Sequence, residues 1–112
     1  MIKMITSERG MVHYFTQTLG ELGECLEEEI ESQNLRRKIL EHEGSHAQEG
    51  LRRGYTPRFS LEIWEDMYRA RTIFDGDVKD IDLMAIALAP NPPSIEDLKQ
   101  ALEIKKRLRW NY

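Results

Sequence analysis

The sequence predicts an all-α domain of four helices: one long N-terminal helix, a Gly-rich loop and three shorter helices, in a single domain over 1–112. Three observations predict it. Apolar residues recur at helical steps before residue 40, and glycine and proline crowd together between residues 44 and 57. The last stretch opens on a proline–serine start signal and closes on a run of bases.

Met1 to Thr6 carries no helical pattern and is read as extended or frayed. From about Ser7, Phe15, Leu19, Leu22, Leu26 and Ile30 follow one another at steps of four, three, four and four, which places them on one helical face. Glu21, Glu24, Glu27, Glu28, Glu29 and Glu31 precede Arg36, Arg37 and Lys38, the order that the helix dipole favours. One helix is therefore expected to run to about Leu40. Gly20 and Gly23 lie inside it, each costing about 1 kcal/mol relative to alanine.

Gly44, Ser45, Gly50, Gly54 and Pro57 then predict a loop, with the backbone uncoiling at the Gly44-Ser45 pair. Ser60 suits the N-cap of a second helix that would bury Leu61, Trp64, Met67, Tyr68 and Phe74. Asp75-Gly76-Asp77 reads as a turn. Val78, Ile81, Met84, Ala85 and Leu88 restore the helical step until Pro90-Asn91-Pro92-Pro93 ends it. Ser94, with Asp97 three residues on, forms a capping-box signature for the last helix. Ile95, Leu98, Ala101 and Leu102 are its expected buried face, and Lys105, Lys106, Arg107 and Arg109 close it. Trp110 and Tyr112 are expected to dock on a neighbouring helix.

Hydrophobic residues make up 40% of the 112 and charged residues 32%, a polar balance for a chain with room for one modest core. Burying a further face against a second copy would help such a chain, so a homodimer is expected. A net charge of −4 argues against a general nucleic-acid binder. Cys25 is the only cysteine, which excludes an intrachain disulfide and suits a reducing compartment. With no run of membrane-spanning length and no signal-like opening, a cytoplasmic protein without membrane contact is expected.

One pattern carries chemistry. His42-Glu43-Gly44-Ser45-His46 places two imidazoles four residues apart, on the same face if the segment is helical, and Glu65 follows after eighteen intervening residues. A glutamate after the first histidine can act as general base on a water polarised by a metal ion. This pattern resembles the gluzincin metallopeptidases, and its spacing the aminopeptidase branch in particular. The resemblance implies zinc as cofactor, His42, His46 and Glu65 as ligands, and Glu43 as catalytic base. It also implies a β-sheet edge, preceding the motif, along which substrate lies. Residues 1–41 carry no strand pattern to supply one.

The Glu21-Leu22-Gly23-Glu24 stretch, with Asp77 and Asp80 later, is similar to the magnesium-binding carboxylates of MazG-type nucleotide pyrophosphohydrolases. That resemblance implies an all-α oligomer. Three arginines and two aromatics between Leu51 and Phe59 suit either stacking on single-stranded nucleic acid or a plain anchored loop. With helices dominating the reading, an accessory protein acting through helix-mediated protein–protein contacts stands first. A zinc metallohydrolase and a pyrophosphohydrolase are the alternatives.

Overall fold

A computed structural model describes residues 1–7 and 9–110. Eight elements follow in order: β1 (Lys3–Thr6), β2 (Val12–Thr16), α1 (Leu19–Glu29), α2 (Gln33–Arg52), β3 (Pro57–Trp64), β4 (Met67–Phe74), α3 (Asp80–Ala87) and α4 (Ile95–Trp110). The fold is mixed α/β, and this overturns the all-α expectation. The four strands form one antiparallel sheet in the order β1-β2-β3-β4, with α1 and α2 inserted between its two hairpins. The docking expected of Trp110 and Tyr112 concerns side chains outside the described residues.

The expected long first helix breaks into a strand and two helices, and local chemistry explains each break. Val12 to Thr16 is rich in β-branched and aromatic residues, and its Tyr14 and Thr16 point into the core in strand alternation. Phe15 belongs to this strand and not to a helix face. Thr18 then starts α1 with a full capping box, accepting from Glu21 N while the Glu21 side chain accepts from Thr18 N. Leu22, Cys25 and Leu26 are the buried face of α1. Ser32 caps α2 by accepting from Leu35 N.

The glycine-rich stretch does not uncoil: α2 continues through Gly44, Ser45 and Gly50 to Arg52. Packing outweighs the roughly 1 kcal/mol propensity cost of each glycine. A Cβ at Gly44 would stand 3.3 Å from a Leu19 methyl, and one at Gly50 would overlap the edge of the Phe74 ring at its Cε1. Both glycines therefore let a neighbour lie close against the helix. Ser45 turns its hydroxyl back to the Glu41 carbonyl at 2.9 Å, a bond that helices accommodate.

The expected second helix is a β-hairpin. Ser60 lies buried within β3, and Phe59 and Leu61 enter the core beside it. β3 and β4 pair from Pro57↔Phe74 to Trp64↔Met67, which leaves Glu65-Asp66 as a two-residue loop. Glu65 takes φ +46°, a left-handed conformation costing a non-glycine residue about 1–2 kcal/mol.

The core lies between one face of the sheet and the α1–α2 pair, built on Tyr14, Leu22, Leu26, Ile39, Ala47, Phe59 and Leu61. The last two helices start and stop where expected, but their faces differ. In α3, Ile86 and Ala87 are buried while Ile81 and Leu88 are exposed. In α4, Ala101 and Ile104 are buried, while Ile95, Leu98 and Leu102 face solvent. Among the described residues α4 comes backbone-close to α3 alone. No helix among them is long and apolar enough to cross a membrane.

Candidate metal centre

Along α2 the buried residues are Ile39, Glu43, His46, Ala47 and Gly50, one face directed at the sheet and α3. His42 lies beside that face and is partly exposed. Because α2 stays coiled, the two imidazoles are one turn apart, with ring centroids 4.9 Å from each other. The residue completing the set is Asp97, in the first turn of α4. Its Oδ2 lies 3.0 Å from His42 Nε2 and its Oδ1 lies 3.2 Å from His46 Nε2. One donor atom from each of the three residues falls within 4.8 Å of the other two.

These separations fit a metal ion. Ligands about 2.0–2.1 Å from a tetrahedral zinc stand about 3.3 Å from one another. Two nitrogens and a carboxylate oxygen are a donor set zinc takes, and three protein ligands leave a fourth position open. The second coordination layer is also in place. His46 Nδ1 lies 2.8 Å from the Ile86 carbonyl, which can only accept, so that nitrogen carries the proton. In a neutral ring Nε2 is then a bare lone pair aimed at a carboxylate, an arrangement a cation between the two relieves. Burial, and the neighbouring His46, hold the His42 imidazole below its ordinary range despite Asp97, a shift that favours the uncharged ring that a metal would need.

Glu43 sits beside the centre, 5% exposed. Thr72 Oγ1, on β4, lies 3.0 Å from Glu43 Oε1 and 3.2 Å from the Glu43 carbonyl, so this hydroxyl holds the carboxylate in place. The other oxygen, Oε2, is 4.0 Å from His42 Nε2. Desolvation pushes the Glu43 carboxyl up to about 7, with the Asp97 charge adding to the effect and the Thr72 hydrogen bond opposing it.

A stability prediction follows for the metal-free protein. Between its ordinary value of 4.5 and about 7, Glu43 keeps a proton in the folded chain that the unfolded chain releases. Stability therefore falls as pH rises through that window, by up to about 3 kcal/mol. Glu43→Gln removes this contribution. Urea unfolding in chelator at pH 5 and pH 8 should show the variant gaining on the wild type at the higher pH. An equal difference at both would contradict the burial argument.

The surrounding cleft has a volume of about 750 Å³, in the range of small-molecule and peptide sites. Its walls are α2, the exposed edge of β4, α3 and the start of α4. Arg53 and Tyr55 at the end of α2 hold α3 in position through Asp82, at 2.8 and 2.6 Å.

Of the residues expected as metal ligands, His42 and His46 come together and Glu65 does not join them. Glu65 stands at the tip of the β3–β4 hairpin, away from the cleft lining, and the third member of the cluster is Asp97. Asp97 was legible only as a helix cap: Ser94 N donates to its Oδ2 at 2.9 Å. Fifty intervening residues separate it from His46, so no local spacing announces its second role. Thr72 and the Ile86 carbonyl carried no signal at all.

Among the described residues, Glu21, Glu24, Asp77 and Asp80 do not converge on a point; Glu21 caps α1 and Asp80 pairs with Arg107. Arg52, Arg53 and Arg58 are engaged by Glu49, Asp82 and Asp75. Compared with protein-family models, curated proteins and solved structures, the chain gives no match in any of the three.

Proposed function

We propose that this protein is a zinc-dependent peptide hydrolase whose centre is His42, His46 and Asp97, with Glu43 as general base. The single observation that carries the reading is the convergence of the two Nε2 atoms on one carboxylate with a buried glutamate alongside. The accessory-protein and pyrophosphohydrolase readings have no comparable cluster among the described residues to support them.

When bound, zinc supplies Lewis acidity toward the scissile carbonyl and makes a water acidic enough to attack near neutral pH. The side chains do the rest. His42, His46 and Asp97 would hold the ion, and the Ile86 carbonyl fixes the His46 tautomer. Glu43 takes a proton from the attacking water as its oxygen adds to the carbonyl carbon. The proton then passes to the amide nitrogen as the C–N bond breaks, leaving a carboxylic acid and an amine. Thr72 keeps the Glu43 carboxylate aimed while this happens.

A peptide is favoured over other amides because β4 is an edge strand lining the cleft. Its outer row of backbone N–H and C=O groups can pair with an extended chain. The test is cleavage of synthetic peptides by protein purified without a histidine tag. Hydrolysis should disappear after dialysis against 1,10-phenanthroline and return with one equivalent of zinc. Undiminished hydrolysis by demonstrably metal-free protein would sink the proposal.

A further inference from the structure

We infer that the centre cuts an internal bond of an extended polypeptide segment bearing an apolar side chain on one side of the cut. This rests on the hydrolase reading and specifies its substrate.

The cleft does not end at the centre. A second hollow of about 530 Å³ lies against it and shares His42, Glu43, Arg69, Ala70, Ser94 and Glu96 with the first. The two are halves of one furrow, with His42 and Glu43 where they join and His46 and Asp97 just inside the larger half. β4 borders both halves, Arg69–Phe74 in the larger and Tyr68–Ala70 in the smaller. At about 3.3 Å per residue, Tyr68 to Phe74 offers about 20 Å of strand edge.

The position of the base along that edge decides between an internal and a terminal cut. Thr72 is the β4 residue touching Glu43, and it lies inside the lined stretch, with Tyr68–Arg71 before it and Ile73–Phe74 after it. An enzyme trimming one residue from a chain end needs its centre at the end of the binding edge. Here an extended segment has partners in both directions.

The lining gives the side-chain class. The smaller half is walled chiefly by Leu35, Ile39, Tyr68 and Ile95, whereas the larger sets Phe74, Val78 and Ile86 beside Arg71, Asp77 and Lys99. At the smaller half Ile95 is 73% exposed and Tyr68 42%, large apolar groups left in water beside the furrow. An apolar side chain laid between them removes both from solvent. Cleavage adds water across one internal peptide bond and yields two shorter peptides, one with a new carboxylate and one with a new amine.

The experiment compares ten-residue peptides carrying apolar residues about a central bond, either with free ends or acetylated and amidated, using zinc-loaded protein and mass spectrometry of the products. Blocked and free forms should both be cut internally at similar rates. Trimming from a free end alone leaves the hydrolase standing and overturns this inference. Absence of any cleavage removes the hydrolase reading and the inference with it. The Ile95→Ala and Tyr68→Ala variants, at exposed positions, should lower kcat/KM about tenfold for substrates apolar on one side of the cut, and much less for substrates polar there. Equal kcat/KM for both substrate sets in both variants would show that the smaller half holds no substrate, and would also overturn it.

Discussion

His46→Ala and Asp97→Asn each release zinc from the protein, while Glu65→Ala retains it: this is the expected result of a competitive titration against a chromophoric chelator. Losing a supporting hydrogen bond behind a ligand costs 10–100-fold in metal affinity. Losing a ligand outright should therefore exceed about 100-fold, because the ion drops from three protein donors to two. The choice of Asp97→Asn matters. The Asp97 side chain also accepts from Ser94 N, and its own N–H lies 3.1 Å from Ser94 Oγ. An alanine there would lose a helix cap worth about 1 kcal/mol as well as a ligand. Asparagine keeps an acceptor for the cap and removes only the anionic donor, so unchanged helicity with lost zinc isolates the ligand role. Glu65 is the internal control. It sits on the hairpin tip with a positive φ, and zinc binding that depended on it would contradict the assigned centre.

Glu43→Gln is expected to bind zinc as well as the wild type while losing hydrolysis by about 10²–10⁴-fold in kcat. The effect corresponds to about 3–5 kcal/mol of barrier. Glutamine is nearly isosteric, and its amide can still pair with the Thr72 hydroxyl that holds Glu43 Oε1 at 3.0 Å. What it cannot do is take a proton. KM should stay within a few-fold, since the change falls on the reacting step and not on the furrow. Steady-state kinetics with parallel metal analysis make the check. A variant retaining most of its kcat would assign the base elsewhere.

How much of this was legible beforehand depended on the range of the interactions concerned. The capping signature at Ser94 and the proline stop before it are local, and both ends of that connection lie where expected. The HExxH spacing is equally local, so His42, Glu43 and His46 could be singled out as chemistry. The strands were misread because their signals were partial. Val12 to Thr16 is only five residues long, sets Tyr14 and Phe15 side by side, and its Phe15 falls in step with the helical series that follows. The β3–β4 loop, Glu65-Asp66, has neither glycine nor asparagine to announce a hairpin. The helix through Gly44 and Gly50 was lost for the opposite reason: glycine there serves close packing by Leu19 and Phe74, a property of the folded neighbourhood. Asp97 lay furthest from view, since its local role as a cap is complete and explains the residue without the centre.

That double duty has a consequence for assembly. The two imidazoles belong to a helix built into the core, whereas the carboxylate arrives on a segment whose backbone leans only on its immediate predecessor. An ion seated among them would act as a keystone between α2 and the start of α4. Occupancy and the seating of that helix start would thus reinforce each other, each raising the other's equilibrium by the same factor. Arg107 grips Asp80 near the far end of the α3–α4 pair at 2.9 Å, and Arg53 and Tyr55 tie α3 to the end of α2 through Asp82, so an ion at the centre would act on the seating of the first turn of α4.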